Sequence, residues 1–266
     1  MSRAAILGAG AMGTMIADGL VRSGWSRDSL VMCARRPARI EELIALGYVA
    51  TTDPVAAIAD ADIVILSTKP KDVGAVLVAI RDHIAKGQVV LSVAAGIEIA
   101  TLDAALPDNP LFRAMPNTPA GLGRGATGFA VGPRATGSDI ETVRRVLESV
   151  GLAVQVSEDQ LNAVTALSGS GPAYVFLLAE ALQSAGQALG LAHDVATDLS
   201  AHTIAGAGAM LVAGMADAPT LRHQVTSPGG TTAAAVDVML DSGFLDIIER
   251  ALTAARDRAV ELGQAR

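Results

Sequence analysis

AAILGAGAMGTMIADGLVRSG, residues 4–24, is the stretch on which the fold turns. The apolar run AAIL leads into Gly8, Gly10 and Gly13, spaced G-x-G-x-x-G, and the residues from Ala11 onward carry apolar side chains at helical period. That order predicts a strand, a tight turn and a helix. Gly8 permits the turn, Gly10 leaves room for a pyrophosphate, and Gly13 lets the helix pack on the strand. The helix N-terminus, with Ala11 and Met12, then faces the negative charge. Three glycines alone also fit a purely structural turn. Flanked by strand and helix within a βαβ unit, they predict a dinucleotide site.

Working outward, SLVMCA, DIVILST, QVVLSV, GFAV and LAVQV are β-branched or apolar runs separated by amphipathic stretches. They predict βαβ units and a mainly parallel sheet up to Val156. After Ser157 the strand signals stop. EDQLNAVTAL, PAYVFLLAEALQSAGQALGL, HDVATDLSAHTIAGAGAMLVAGM, TAAAVDVMLDSG and FLDIIERALTAARDRAVEL all read at helical period. The expected architecture is α/β: a Rossmann-type dinucleotide-binding domain over 1–156, then an all-helical domain over 157–266.

The totals agree with an ordinary globular chain. A chain of 266 residues can bury one large core or two smaller ones. Net charge is -7 with a pI near 5.1, so no positive field exists to hold nucleic acid. A single cysteine, Cys33, excludes an intrachain disulfide framework and points to the cytoplasm. MSRAAILGAGAMG is broken by glycines too early for a secretory signal. Thr203–Ala216, the most lipid-like segment, falls short of the roughly 20 apolar residues a bilayer requires, so no membrane role is expected. Long apolar helices rich in Ala and Gly and poor in aromatics predict at least a homodimer, with a monomeric helical core as the alternative.

Which dinucleotide binds is read at the end of the second strand. An NAD site usually places an acid there for the ribose 2′-hydroxyl, whereas this chain has Ala34, Arg35 and Arg36. Guanidinium favours a 2′-phosphate, so NADPH is the expected cofactor and NADH a weaker one. The alternative is that these arginines, with Arg39, form a solvated helix face. Thr68, Lys69 and Pro70 after one strand, and Ala95 and Gly96 after another, lie where such sheets hold ligands. An ordinary lysine turn and a plain glycine turn are the alternatives. In RAMPNTPA, Asn117 sits between two prolines, either offering its amide to the cofactor carboxamide or substrate, or forming a rigid surface turn.

Two stretches rich in hydroxyls and glycine interrupt the helical half, ALSGSGPAYVF at 166–176 and VTSPGGTTAAAV at 225–236. Neither carries an acid. Two helix N-termini, around Ser170–Gly171 and Ser227–Thr232, either cap their own helices or converge on one carboxylate. His83, His193, His202 and His223 lie outside these stretches, and no metal-ligand pattern occurs. A reaction without a strong protein base fits hydride transfer to a C=N bond, because an iminium arrives already protonated. Thr232 would hold its nitrogen.

GAGAMG, KP at 69–70, RAMPNTPA, ALSGSGPAY and VTSPGGTT occur in the order found in Δ1-pyrroline-5-carboxylate reductases, and the chain resembles that family over nearly its whole length. The resemblance implies a Rossmann domain, a helical domain interlocked in a dimer, larger rings of dimers, and reduction of pyrroline-5-carboxylate to L-proline with NAD(P)H. It implies that Ser227, Gly230 and Thr231 bind the substrate carboxylate and Thr232 the ring nitrogen. The SGSGPA stretch would shape the site, and Arg35, Lys69, Ala95 and Asn117 would line the cofactor groove. LRHQV departs from the family's usual LRDxV, placing His223 where an acid is common. The rivals are a reductase of another small imino or keto acid and an NADPH sensor without turnover.

Overall fold

The apolar runs become one eight-stranded sheet, in the order β3-β2-β1-β4-β5-β6-β7-β8, in the computed structural model, which describes residues 3–264. The strands are β1 (Ala4–Leu7), β2 (Leu30–Cys33), β3 (Val49–Thr51), β4 (Ile63–Leu66), β5 (Val89–Ser92), β6 (Leu111–Met115), β7 (Gly125–Val131) and β8 (Gly151–Gln155). All neighbours pair in parallel except β6 and β7, which run antiparallel. The expected Rossmann arrangement holds. β1, β4 and β5 are buried at every residue, as befits strands covered on both faces.

Alternation along the strands splits the core into two layers. Ile6, Met32, Ile65 and Leu91 face one side, covered by Ile16 and Leu20 of α1 (Ala11–Arg22), Leu43 of α2 (Pro37–Ala45) and Val143 and Leu147 of α6 (Gly137–Glu148). Leu7, Cys33, Leu66 and Val90 face the other. There they meet Ile58 of α3 (Pro54–Ile58), Val73 and Leu77 of α4 (Pro70–Ile80), Leu102 of α5 (Ile99–Ala105) and Leu161 of α7 (Leu161–Val164). Each such side chain contributes about 1.5–3 kcal/mol of apolar burial. The strand order reverses between β1 and β4, which opens a crevice at their carboxyl ends. β3 escapes the sequence reading because it is a three-residue edge strand without a clear apolar alternation.

The chain divides into two compact units, one through Ser170 together with the chain from Ala255, the other Gly171–Ala254. The expected boundary after 156 therefore falls earlier than the structural one. α7 packs on β7 at Gly128, where an added Cβ would lie 2.8 Å from both Val164 methyl carbons. Leu161 is buried in the sheet's core, so this first turn of helix folds with the sheet.

The second unit contains α8 (Gly171–Ala188), α9 (His193–Val212), α10 (Ala218–Gln224), α11 (Thr231–Asp241) and the start of α12 (Phe244–Gln264). α8 and α9 pack on each other closely: a Cβ at Gly186 would lie 3.3 Å from the Ala196 methyl. Yet Phe176, Leu177, Leu189, Val212 and Val238 are more than half exposed. Two stretches, Glu158–Ala188 and His193–Val212, are by length and composition apolar enough to cross a membrane. The first runs through residues that read as breaks in the sequence, whereas His193–Val212 lies within a stretch expected to be helical.

One of those breaks is the SGSGP stretch. Instead of a loop, Thr165–Gly169 forms a π turn between α7 and α8, with the Ser170 N–H donating to the Thr165 carbonyl at 2.8 Å. Pro172 explains it: proline has no N–H for the carbonyl four residues back, that of Ser168, and the helix widens rather than stops. Ser170 and Gly171 thus do not open a free helix N-terminus, and the expectation of two such termini is reduced to one.

Candidate functional site

The three glycines of the first turn have different physical duties. Gly8 has φ +109°, and a Cβ there would lie 2.5 Å from the Thr68 nitrogen and 2.6 Å from the Ser67 carbonyl carbon. A Cβ on Gly13 would run into the Gly8 carbonyl oxygen and lie 2.6 Å from Ser67 Oγ. These two glycines serve the close approach of turn, helix and β4. Gly10 is different, since a Cβ there meets nothing within 4 Å. It opens onto a cavity of about 410 Å³ at the carboxyl ends of β1, β2 and β4. Ser67 Oγ donates to the Gly8 carbonyl at 2.8 Å, and the Gly8 and Ala9 N–H groups donate to the Cys33 carbonyl at 2.9 and 3.0 Å. Gly10 caps α1 without a side-chain acceptor, so the N–H groups of the first turn remain available to an anion.

The arginines are not arranged as their order in the sequence suggests. Arg35 makes a two-pronged pair with Asp72 on α4, both bonds at 3.1 Å. The Arg36 guanidinium has no hydrogen bond or ion pair among the described residues, and Arg36 lines the same cavity. Arg39 is no solvated bystander: its Nε donates to the Ala9 carbonyl at 3.0 Å and one terminal nitrogen to Thr14 Oγ1 at 2.8 Å. It pins the glycine turn from α2. Neither Arg39's role nor Asp72's is legible in the sequence, because each depends on a partner that only the sheet brings near.

These residues fit a dinucleotide. Thr68 Oγ1 is buried, lines the cavity and lacks a hydrogen-bond partner, as expected of a hydroxyl whose acceptor or donor is a ligand. Lys69 is exposed at the N-cap of α4, Pro70 opens that helix, and Gly96 turns the chain after β5 at φ +72° beside the exposed Ala95. Bound there, a nicotinamide dinucleotide would supply the hydride chemistry, with the glycine turn on its phosphates and Arg35 and Arg36 near its ribose end.

Asn117 is a correction. Its Nδ2 donates to the Ser168 carbonyl at 2.9 Å and its Oδ1 accepts from the Ala126 N–H at 2.9 Å, with the residue only 8% exposed. The carbonyl that Pro172 deprives of a donor is the one Asn117 satisfies. The amide is therefore committed within the fold rather than presented to a ligand, apart from one remaining Nδ2 hydrogen.

Cys33 also lines the cavity, but burial, with the Asp53 carboxylate as a smaller cause, pushes its thiol up to about 11 from 9.0. The folded chain keeps this proton where the unfolded chain loses it. The resulting stability is complete below pH 9 and is lost as pH rises through about 11. Between pH 8 and 10.5, urea unfolding of the parent should lose on the order of 2 kcal/mol more than that of Cys33→Ala. Equal losses would contradict the burial argument.

In the second unit, TSPGGTT leads from α10 into α11. Gly229 turns at φ +68°, the Gly230 N–H donates to the Ser227 carbonyl at 3.0 Å, and the Ala234 N–H closes the first turn on the Gly230 carbonyl at 3.2 Å. Gly230 is the N-cap, and no side chain caps the helix. A Cβ on Gly230 would collide with Ser227 Oγ, so glycine is needed for the hydroxyl to sit there. The N–H groups of Thr231, Thr232 and Ala233 have no acceptor among the described residues. Gly230's own N–H is spent inside the loop on the Ser227 carbonyl. His223 lies in the last turn of α10, where an acid would oppose the helix dipole. Among the described residues, no group of His, Cys, Asp and Glu side chains is arranged to hold a metal ion.

Residues 158–262 match the family model for pyrroline-5-carboxylate reductase dimerisation, and residues 3–96 match that for NADP oxidoreductase, coenzyme F420-dependent. The pyrroline-5-carboxylate reductase of Mycobacterium tuberculosis is 40% identical, with 98% of this chain and 97% of that protein covered. The Pseudomonas aeruginosa enzyme of the same name is 38% identical over the same shares. Among solved structures, a pyrroline-5-carboxylate reductase from Coxiella burnetii superposes with a TM-score of 0.94 at 34% identity, covering 98% of both chains. The Plasmodium falciparum pyrroline carboxylate reductase, solved with NADP bound, gives 0.87 at 25% identity, again over 98% of both.

Proposed function

The chain belongs to the pyrroline-5-carboxylate reductase family, and we propose from its geometry which residues carry the reaction. It is an NAD(P)H-dependent oxidoreductase that reduces the C=N bond of pyrroline-5-carboxylate to give L-proline, the last step of proline biosynthesis. The observation that supports the assignment of the substrate residues is the uncapped N-terminus of α11. Its first-turn amides, with the Ser227 hydroxyl beside them and no acid in the loop, form a cradle for one carboxylate. The Thr231 and Thr232 N–H groups and Ser227 Oγ bind that carboxylate, and Thr232 Oγ1 accepts the N–H of the iminium ring.

When bound, the reduced nicotinamide supplies a hydride to the imine carbon. The nitrogen keeps the proton with which it arrived, so the amine forms without a protein base. The chain's contribution is orientation: a fixed carboxylate and a fixed nitrogen leave the ring little freedom, and alignment of this kind is worth several kcal/mol. On this reading the unit built on the sheet serves the cofactor, and Gly171–Ala254 serves the substrate and association.

The exposed apolar side chains of α8, α9 and α11 are covered by a second copy of the chain rather than by lipid. The protein is then a cytoplasmic homodimer that also builds rings of dimers. Light scattering in dilute solution should return at least twice the monomer mass, and a monomer would refute this.

The decisive assay is NADPH oxidation with pyrroline-5-carboxylate, run beside its six-membered piperideine analogue. Turnover with the five-membered substrate should dominate. Proline soaked into crystals should lodge its carboxylate on residues 227–232, and lodging elsewhere would sink the assignment of those residues.

A further inference from the structure

We propose that Asp72 sets the preference between NADPH and NADH by holding Arg35 away from a 2′-phosphate. The inference rests on the reading of the cavity beside Gly10 as the cofactor site. Arg39 spends its guanidinium on the glycine turn, Thr14 and Glu42, and so is not available to a ligand. Arg35 presents its fork to Asp72, two bonds at 3.1 Å each. Of these three arginines, Arg36 is the one whose guanidinium has no partner among the described residues.

Asymmetry within the Arg35–Asp72 pair shows which member is anchored. The Asp72 side chain is 19% exposed and the Arg35 side chain 80%. Asp72 stands in the first turn of α4, where helix dipole and backbone favour a carboxylate, and its N–H donates to the Lys69 carbonyl at 2.8 Å. The acid is part of the wall, and the arginine lies on it. Both line the same cavity as Arg36.

A phosphate dianion approaching Arg36 therefore meets a neighbouring arginine whose charge is already balanced, and a carboxylate that repels it. To recruit Arg35 it must displace Asp72 from a pair of matching fork geometry. A 2′-hydroxyl suffers neither cost, and an acid near the ribose is what NAD sites use. Asp72 thus acts as a brake on NADPH selectivity. Because exposed pairs are individually weak, the brake is worth a modest factor.

Asp72→Asn keeps the shape, removes the charge and releases Arg35. Isothermal titration of the full chain with 2′,5′-ADP and with 5′-AMP reads the effect without turnover. The variant should bind 2′,5′-ADP about three- to tenfold more tightly and AMP within about twofold of the parent. The ratio of kcat/KM for NADPH to that for NADH should rise by the same factor. Asp72→Ser, which retains a first-turn hydroxyl for α4, should move in the same direction. In Arg35→Ala/Asp72→Asn most of the gain should vanish. Unchanged or weaker 2′,5′-ADP binding in both single variants would overturn the proposal, as would parallel losses for the two fragments, which would make Asp72 a structural residue. If the parent bound neither fragment, the cofactor assignment itself would fall, and this inference with it.

Discussion

Gly10→Val should raise the KM for NADPH by about ten- to a hundredfold while leaving the melting temperature nearly unchanged, because it removes one or two charge-assisted amide bonds worth about 1.5–3 kcal/mol each. The separation of the two effects follows from local geometry. Gly10 has φ −83° and ψ −162°, a conformation open to any residue, and its Cβ position is clear of protein atoms to 4 Å. A valine there costs the fold little and occupies the space in front of the α1 amides. Gly8→Ala is the contrasting case. With φ +109° and backbone atoms 2.5–2.8 Å from the added carbon, it should destabilise the domain by several kcal/mol. Thermal unfolding and NADPH titration on both variants settle the matter. If Gly10→Val melts like Gly8→Ala, or binds NADPH normally, the phosphate cradle has been misplaced.

Thr232→Ala should lower kcat/KM for pyrroline-5-carboxylate by about ten- to a hundredfold, on the order of 1.4–2.7 kcal/mol, as one transition-state hydrogen bond is lost. Thr232 is half-buried in the first turn of α11 and its backbone amide survives the substitution, so the carboxylate cradle stays whole. The loss should therefore appear mainly in kcat, with Thr232→Ser recovering most of it. An alanine variant with parental efficiency would remove the hydroxyl from the mechanism.

Much of the fold was readable in order along the chain. Parallel strands buried on both faces are written as unbroken apolar runs, and Gly8, Gly10 and Gly13 mark their turn through spacing alone. VTSPGGTT was readable as well, since an α-helix that opens on glycine with no acid nearby leaves its amides unspent. SGSGP misled, because glycine and serine ordinarily signal a loop while Pro172 only widened a helix that continued past it. The exposed apolar faces of α8 and α9 were legible too, because long apolar runs rich in Ala and Gly carry more apolar surface than one small helical unit covers.

The sequence by itself determined most of the sheet, the dinucleotide turn and the family, because each is specified by neighbours a few residues apart through φ/ψ preference and hydrophobic period. Only the tertiary structure decided how the polar side chains are spent: Arg35 on Asp72, Arg39 on the glycine turn, Asn117 on the carbonyl of Ser168. Those pairings join residues 30 to 51 positions apart, and a side chain's partner at such range is set by where the backbone passes, not by the chain's local chemistry.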